Sequence, residues 1–132
     1  LSKNINNLKK IVKKLNDKKI RTSLFINPSI KNIKISKYLD TRCIELHTGK
    51  ISRLIKNNKN YISELNKIIN CTKFATSLGI EVHAGHGMDY KTAKILAKVK
   101  GIREFNIGHF IIGESIFFGL RKVIKKFIVI CK

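Results

Sequence analysis

Two stretches each carry a glycine-histidine pair just after a short apolar run: EVHAGHGMDY, from Glu81 to Tyr90, and EFNIGHFIIGES, from Glu104 to Ser115. His86 stands between Gly85 and Gly87. Glycine on both sides lets the backbone approach a ligand closely and take unusual dihedral angles. An imidazole held in such a turn, with an unperturbed pKa of about 6.5, suits proton donation or acceptance near neutral pH. Gly108 and His109 precede FIIGES. Backbone N–H groups in a glycine turn ahead of a helix make an anion site, and a histidine adds a hydrogen bond to it. Glu45 and His47 in IELHTG alternate along a strand and so share one face. A carboxylate on a covered face needs a partner or a function. Each feature also has a structural reading: a satisfied loop histidine, a chain-turning glycine, an ion pair. All four histidines (His47, His83, His86 and His109) fall at or near strand ends, together with Glu45. Imidazole and carboxylate suit zinc or iron, but no fixed ligand spacing such as H-E-x-x-H occurs.

For these residues to meet, the chain must bring them to one edge of a sheet. Apolar spacing predicts a helix over 4–17, with Ile5, Leu8, Ile11, Val12 and Leu15 on one stripe. RTSLFIN (Arg21–Asn27) is a β-type run, and Asn27-Pro28 signals a helix start, with Ile30, Ile33 and Leu39 inward. RCIELHTG (Arg42–Gly49) reads as a second strand ending in a Thr-Gly turn. A long helix follows from Tyr61 to Leu78, with Ile62, Leu65, Ile69, Thr72 and Ala75 inward, and Gly79 stops it in a left-handed conformation. IEVHAG (Ile80–Gly85) is the third strand, Asp89 caps a helix bearing Ala93, Leu96 and Val99, and EFNIG (Glu104–Gly108) is the fourth strand. A last helix spaces Ile116, Leu120, Val123, Phe127 and Ile130 at three and four.

Strands alternating with helices imply a parallel sheet. The strands are short apolar runs, as expected when both faces are covered. The glycine turns fall at the C-terminal ends of the strands, the functional edge of such folds. Four strands are half of a closed barrel, which needs eight and about 200–250 residues. The alternative is a small flavodoxin-like sheet.

Length and composition fit one α/β domain over residues 1–132, with a hydrophobic fraction of 43% and a mean hydropathy of −0.09. No apolar run approaches the ~20 residues of a membrane helix, and LSKNINNLKK has no apolar centre of a signal peptide. The net charge is +20. The basic residues are mostly lysines spread along polar helix faces, beside the Asn and Ile that AT-rich codons favour. No basic block is interleaved with base-stacking aromatics. A positive field suits anionic small substrates. A basic α/β nucleic-acid-associated binding module remains the reading from a different class. Cys43, Cys71 and Cys131 form no C-x-x-C pair and are odd in number, so reduced thiols and a cytoplasmic location are expected.

SLFI (Ser23–Ile26), IELHTG (Ile44–Gly49), FATSLGIEVHAGHG (Phe74–Gly87) and EFNIGHFIIG (Glu104–Gly113), in this order and spacing, resemble the pyridoxine 5'-phosphate synthase family. The resemblance covers the C-terminal half of that family's (β/α)8 TIM barrel. It implies condensation of 1-deoxy-D-xylulose 5-phosphate with 3-amino-2-oxopropyl phosphate to pyridoxine 5'-phosphate, phosphate and water, with no metal or organic cofactor. It implies His86 as proton donor and Glu45 as the carboxylate that stabilises the transition state. It further implies Gly87, Gly108 and His109 as holders of the aminooxopropyl phosphate. His83 stands where the family usually has Asn, Glu114 where it often has Arg, and HTGK lacks the aromatic that often follows this glycine. The implied partners are phosphorylated small molecules, an N-terminal half barrel and further copies in a homo-oligomer, with no specific nucleic acid and no membrane. A half barrel alone is expected to be inactive and to leave two sheet edges and an apolar inner face open.

The charge distribution yields a first prediction. The protein should retard DNA at low salt, because any polycation releases counterions, and let it go at physiological ionic strength. A mobility-shift series across salt and sequence reads this out. Sub-micromolar, sequence-selective binding at physiological salt would make the basic surface a nucleic-acid site.

Overall fold

The computed structural model describes residues 4–131. The order is α1 (Ile5–Asp17), β1 (Ser23–Ile26), α2 (Ile30–Tyr38), β2 (Cys43–His47), α3 (Gly49–Lys56), α4 (Ile62–Ser77), β3 (Glu81–Gly85), α5 (Tyr90–Leu96), β4 (Ile102–Asn106), α6 (His109–Phe118) and α7 (Leu120–Cys131). The strands form one 4-stranded sheet in sequence order, every neighbouring pair parallel. Four parallel strands alternating with helices agree with half of a TIM barrel. No helix among the described residues is long and apolar enough to cross a membrane.

Side chains alternate between the faces of a strand, and here the faces differ in chemistry. Ile26, Ile44, Leu46 and Val82 point to the helical side, where they pack with Ile33 of α2, Ile51 of α3, Ile68 of α4 and Leu96 of α5 in the main core. The opposite face carries Phe25, Glu45, His47, His83 and Gly85. The inner face expected to be apolar is therefore largely polar. Phe25 is its exposed apolar side chain, and the densest band of exposed apolar side chains lies elsewhere, on α6 and α7: Ile112, Ile116, Phe117, Phe118, Leu120, Ile128 and Val129.

Several local expectations need correction. α2 begins after Ser29 rather than at Asn27-Pro28, because an extended Ser29 still has to bring the chain off β1. α3 replaces what reads as a simple turn. In α4 the buried stripe is Glu64, Ile68, Cys71, Thr72 and Ala75, while Ile62 is 51% exposed. The helix can turn Glu64 inward because Lys50 Nζ lies 2.7 Å from its carboxylate, which compensates the buried charge. Ile11 likewise faces out from α1. The single last helix is two: Gly119, at φ +79, breaks it between α6 and α7. Ile116 and Leu120 are consequently exposed, whereas Val123 and Phe127 are buried beside Ala93 and Tyr90. Gly79, at φ +74, does end α4 in the left-handed region, and Asp89 caps α5 by accepting from the Thr92 N–H at 2.8 Å.

The rotated stripe of α4 is testable. Ile68→Ala should cost about 2–5 kcal/mol in urea unfolding, the usual penalty of a core cavity, and Ile62→Ala only about 0.5 kcal/mol or less. Equal losses would return α4 to the phase with Ile62 inward.

Candidate active site

The carboxyl ends of the strands hold the site, and Gly85 organises it. β2 and β4 are not neighbours, since β3 runs between them. Even so, the Asn106 side-chain amide on β4 donates to Glu45 Oε2 on β2 at 2.7 Å. The two meet across Gly85, which pairs with His47 on one side and Asn106 on the other. A Cβ on Gly85 would overlap the Glu45 carboxylate and come 3.1 Å from Asn106 Cβ. Asn106 reaches this face through a register shift between Val82 and His83: Val82 pairs with Ile102 but His83 with Glu104, leaving Arg103 as the extra residue. Such a bulge inverts the facing of every later residue on the strand.

The turn after β3 carries His86 at φ +79 and Gly87 at φ +73. Positive φ at a non-glycine residue costs on the order of 1–3 kcal/mol and persists where the surroundings impose it. Thr48 supplies part of that constraint. Its backbone N–H donates to Gly85 O at 2.8 Å, and its hydroxyl lies 2.7 Å from Gly85 O and 2.8 Å from His86 O, donating to one or the other. The His86 ring stacks on His47 at 4.7 Å between centroids, and Phe25 meets His47 edge-on at 5.2 Å. Gly49 makes room, since a Cβ there would come 2.8 Å from His47 Cε1 and 3.2 Å from His86 Cδ2. Burial, then the charges of His86 and Arg53, hold the His47 imidazole below the ordinary histidine range, with Glu45 opposing. His47 is thus a mainly neutral platform for the His86 ring near neutral pH.

A cleft of about 670 Å³ opens over this edge. All five residues expected from the sequence line it: Glu45, His86, Gly87, Gly108 and His109. Gly108 precedes α6 with open space where a Cβ would stand, no side chain caps the helix, and Gly108, His109 and Phe110 all line the cleft. His83 does not join the group. It lies mid-strand, buried, with Nε2 2.8 Å from Glu81 Oε1, and Arg21 shares that oxygen. The His83 hydrogen bond and then Arg21 hold the Glu81 carboxyl below its usual range. Among the described residues no group of three or more His, Cys, Asp or Glu side chains is placed to hold a metal ion. Four contributors escaped the sequence reading: Asn106, Thr48, Arg53 and Lys56. For the last two an amphipathic pattern in GKISRLIK was the available signal.

Fold and site together define an α/β chain of half-barrel type with a glutamate, a histidine and glycine turns gathered at the carboxyl ends of its strands. The family model described as "Pyridoxal phosphate biosynthesis protein PdxJ" matches residues 1–132, and the chain belongs to that PdxJ family. It is 60% identical over 127 residues to a protein of Pelagibacter ubique (strain HTCC1062) named pyridoxine 5'-phosphate synthase, covering 96% of this chain and 53% of that protein. Proteins of the same name from Blochmanniella floridana and Zymomonas mobilis subsp. mobilis are 45% and 47% identical, each over 92% of this chain and over 49% and 47% of their own lengths. The chain spans about half the length of the curated relatives it matches.

The lane over Gly85 predicts coupling between residues on three strands. Gly85→Ala should displace the Glu45 side chain and cost about 1–3 kcal/mol of stability. Asn106→Ala should cost less, about 0.5–1 kcal/mol, because the lost bond is solvent-exposed and water can take the donor's place. Because both break one contact, the double variant should lose clearly less than the sum. Strict additivity in denaturant unfolding would mean that Gly85 does not serve the Glu45–Asn106 bond.

Proposed function

We propose that the intact protein is a pyridoxine 5'-phosphate synthase, condensing 1-deoxy-D-xylulose 5-phosphate with 3-amino-2-oxopropyl phosphate to give pyridoxine 5'-phosphate, inorganic phosphate and water. The observation that carries this reading is the convergence of Glu45, His86, Gly87, Gly108 and His109 on one cleft, together with membership of the PdxJ family. Ring closure requires amine–carbonyl condensation, proton transfers and departure of phosphate and water. His86, fixed by its turn and by the His47 ring, delivers the proton to a leaving oxygen. Glu45, oriented by Asn106, sets a negative charge where the condensing nitrogen becomes cationic. Gly87 and the Gly108–His109 turn hold the phosphate of the aminooxopropyl substrate through backbone N–H groups and the His109 ring. The scheme calls for no metal and no organic cofactor.

The same reading makes residues 1–132 one domain, the C-terminal half of a barrel whose other half is N-terminal. The open edges of β1 and β4 support this, as does the span of half the relatives' length. The exposed apolar band on α6 and α7 supports burial against that half or against another copy in a homo-oligomer. Free Cys43 and Cys71, both buried, fit a reducing cytoplasm.

His86→Asn in the intact protein should lower kcat by on the order of a hundredfold or more, with KM for both phosphosubstrates little changed. His109→Asn should raise KM for the aminooxopropyl phosphate more than it lowers kcat. Steady-state kinetics separates the two. Near-normal kcat with a raised KM in His86→Asn would reverse the two assignments.

A further inference from the structure

His86 is the exposed end of a column of three rings, and few things orient it. The backbone at φ +79 aims its Cα–Cβ bond, but the ring torsion of a histidine is soft. Among the described residues no hydrogen bond reaches the ring of His86 or of His47. Ring contact is what fixes the plane. The two imidazoles lie 4.7 Å apart at 32°, closer to stacked than to edge-on. His86 lines the cleft and His47 does not, so His47 backs the reacting ring without facing substrate. Phe25 in turn holds His47 edge-on at 5.2 Å. β1, β2 and the turn after β3 thus supply one ring each.

We infer that His47 is a positioning residue, fixing the plane of the His86 imidazole by face contact instead of the hydrogen bond that commonly orients an acid–base histidine. The inference rests on the reading of His86 as proton donor. A platform of this kind leaves both His86 nitrogens available to the cleft. It also has to stay uncharged, because a second cation 4.7 Å away would repel a protonated His86. The groups facing His47 provide for that. Partial burial, His86 from the turn and Arg53 from α3 all oppose its charging, against Glu45 on its own strand, and β1 presents the Phe25 ring. A proton therefore reaches His47 only on the acid side of the ordinary histidine range.

The test uses the intact protein with His47→Ala, His47→Phe and Gly49→Ala. His47→Ala should lower kcat about tenfold to a hundredfold, the scale of a displaced acid–base group, with KM for both phosphosubstrates little changed. His47→Phe restores a flat ring and should recover most of that loss. Gly49→Ala leaves both histidines in place but sets a Cβ 2.8 Å from His47 Cε1 and 3.2 Å from His86 Cδ2, so it should part the rings and lower kcat. Toward acid pH, wild-type kcat should fall before that of His47→Phe, whose platform cannot charge; any loss through Glu45 is common to both. Ring-proton NMR of labelled histidine should show the His86 signal move when His47→Ala removes the neighbouring ring current. Wild-type kcat in His47→Ala would overturn the inference. So would superimposable acid limbs, or an equal kcat loss in His47→Phe with thermal unfolding unchanged, which would require the imidazole nitrogens rather than the ring face. A wild type that turns over neither phosphosubstrate would remove the synthase reading alone: a His86 signal that still moves in His47→Ala keeps the stack, and one that does not overturns it.

Discussion

A missing side chain governs the arrangement of the site. With no Cβ at Gly85, the space above β3 is a lane through which a carboxylate on β2 and an amide on β4 meet directly. Much around it follows from keeping that lane open. The bulge at Arg103 turns Asn106 toward it. The Thr48 bonds fix the carbonyls of Gly85 and His86, so the chain leaves β3 in one direction only. A glutamate held in this way keeps one orientation at the edge of the cleft, and an oriented charge requires little reorganisation when a positive charge forms opposite it.

The three histidines of the inner sheet face and its turn fall into two environments that the sequence could not separate. His47 and His86 stack at the carboxyl ends of the strands, where burial and neighbouring positive charge keep His47 largely neutral. His83, two residues before Gly85, is locked to Glu81 deep on the same face, next to Arg21. Register pairs His83 with Glu45 on one face, and strand alternation extends that face to Glu81 and Gly85. What it cannot predict is that Arg21, arriving from before β1, supplies the charge that binds the Glu81–His83 pair.

The strands, their parallel order and the five cleft residues were legible because they depend on local signals: short apolar runs, glycine after each run, histidine within the turns. The features missed depend on contacts distant in sequence or on absent phase information. α3 starts at a glycine and spans eight residues, so the Thr-Gly pair reads as a turn alone. α6 is apolar on every side and gives no periodicity, which let the spacing of Leu120, Val123 and Phe127 run backward through Gly119. The inward turn of Glu64 depends on Lys50 from another helix. The bulge has no local mark at all: Ile102, Arg103 and Glu104 form an ordinary strand sequence, and only the pairing with β3 reveals the extra residue.

That bulge also acts as an address. β4 is an outer strand of the described sheet, and its free backbone groups present the orientation fixed at Arg103. Any strand that docks there must bring its inward-pointing residues level with Glu104 and Asn106. A one-residue slip would send its entire inward set to the helical side. The docking strand thus has its register dictated by an irregularity one strand away, before it has made a single side-chain contact. Deleting Arg103 would turn the same pairings into a regular ladder, with Glu104 and Asn106 still inward, whereas filling the ladder with Arg103 opposite His83 would turn Asn106 to the helical side.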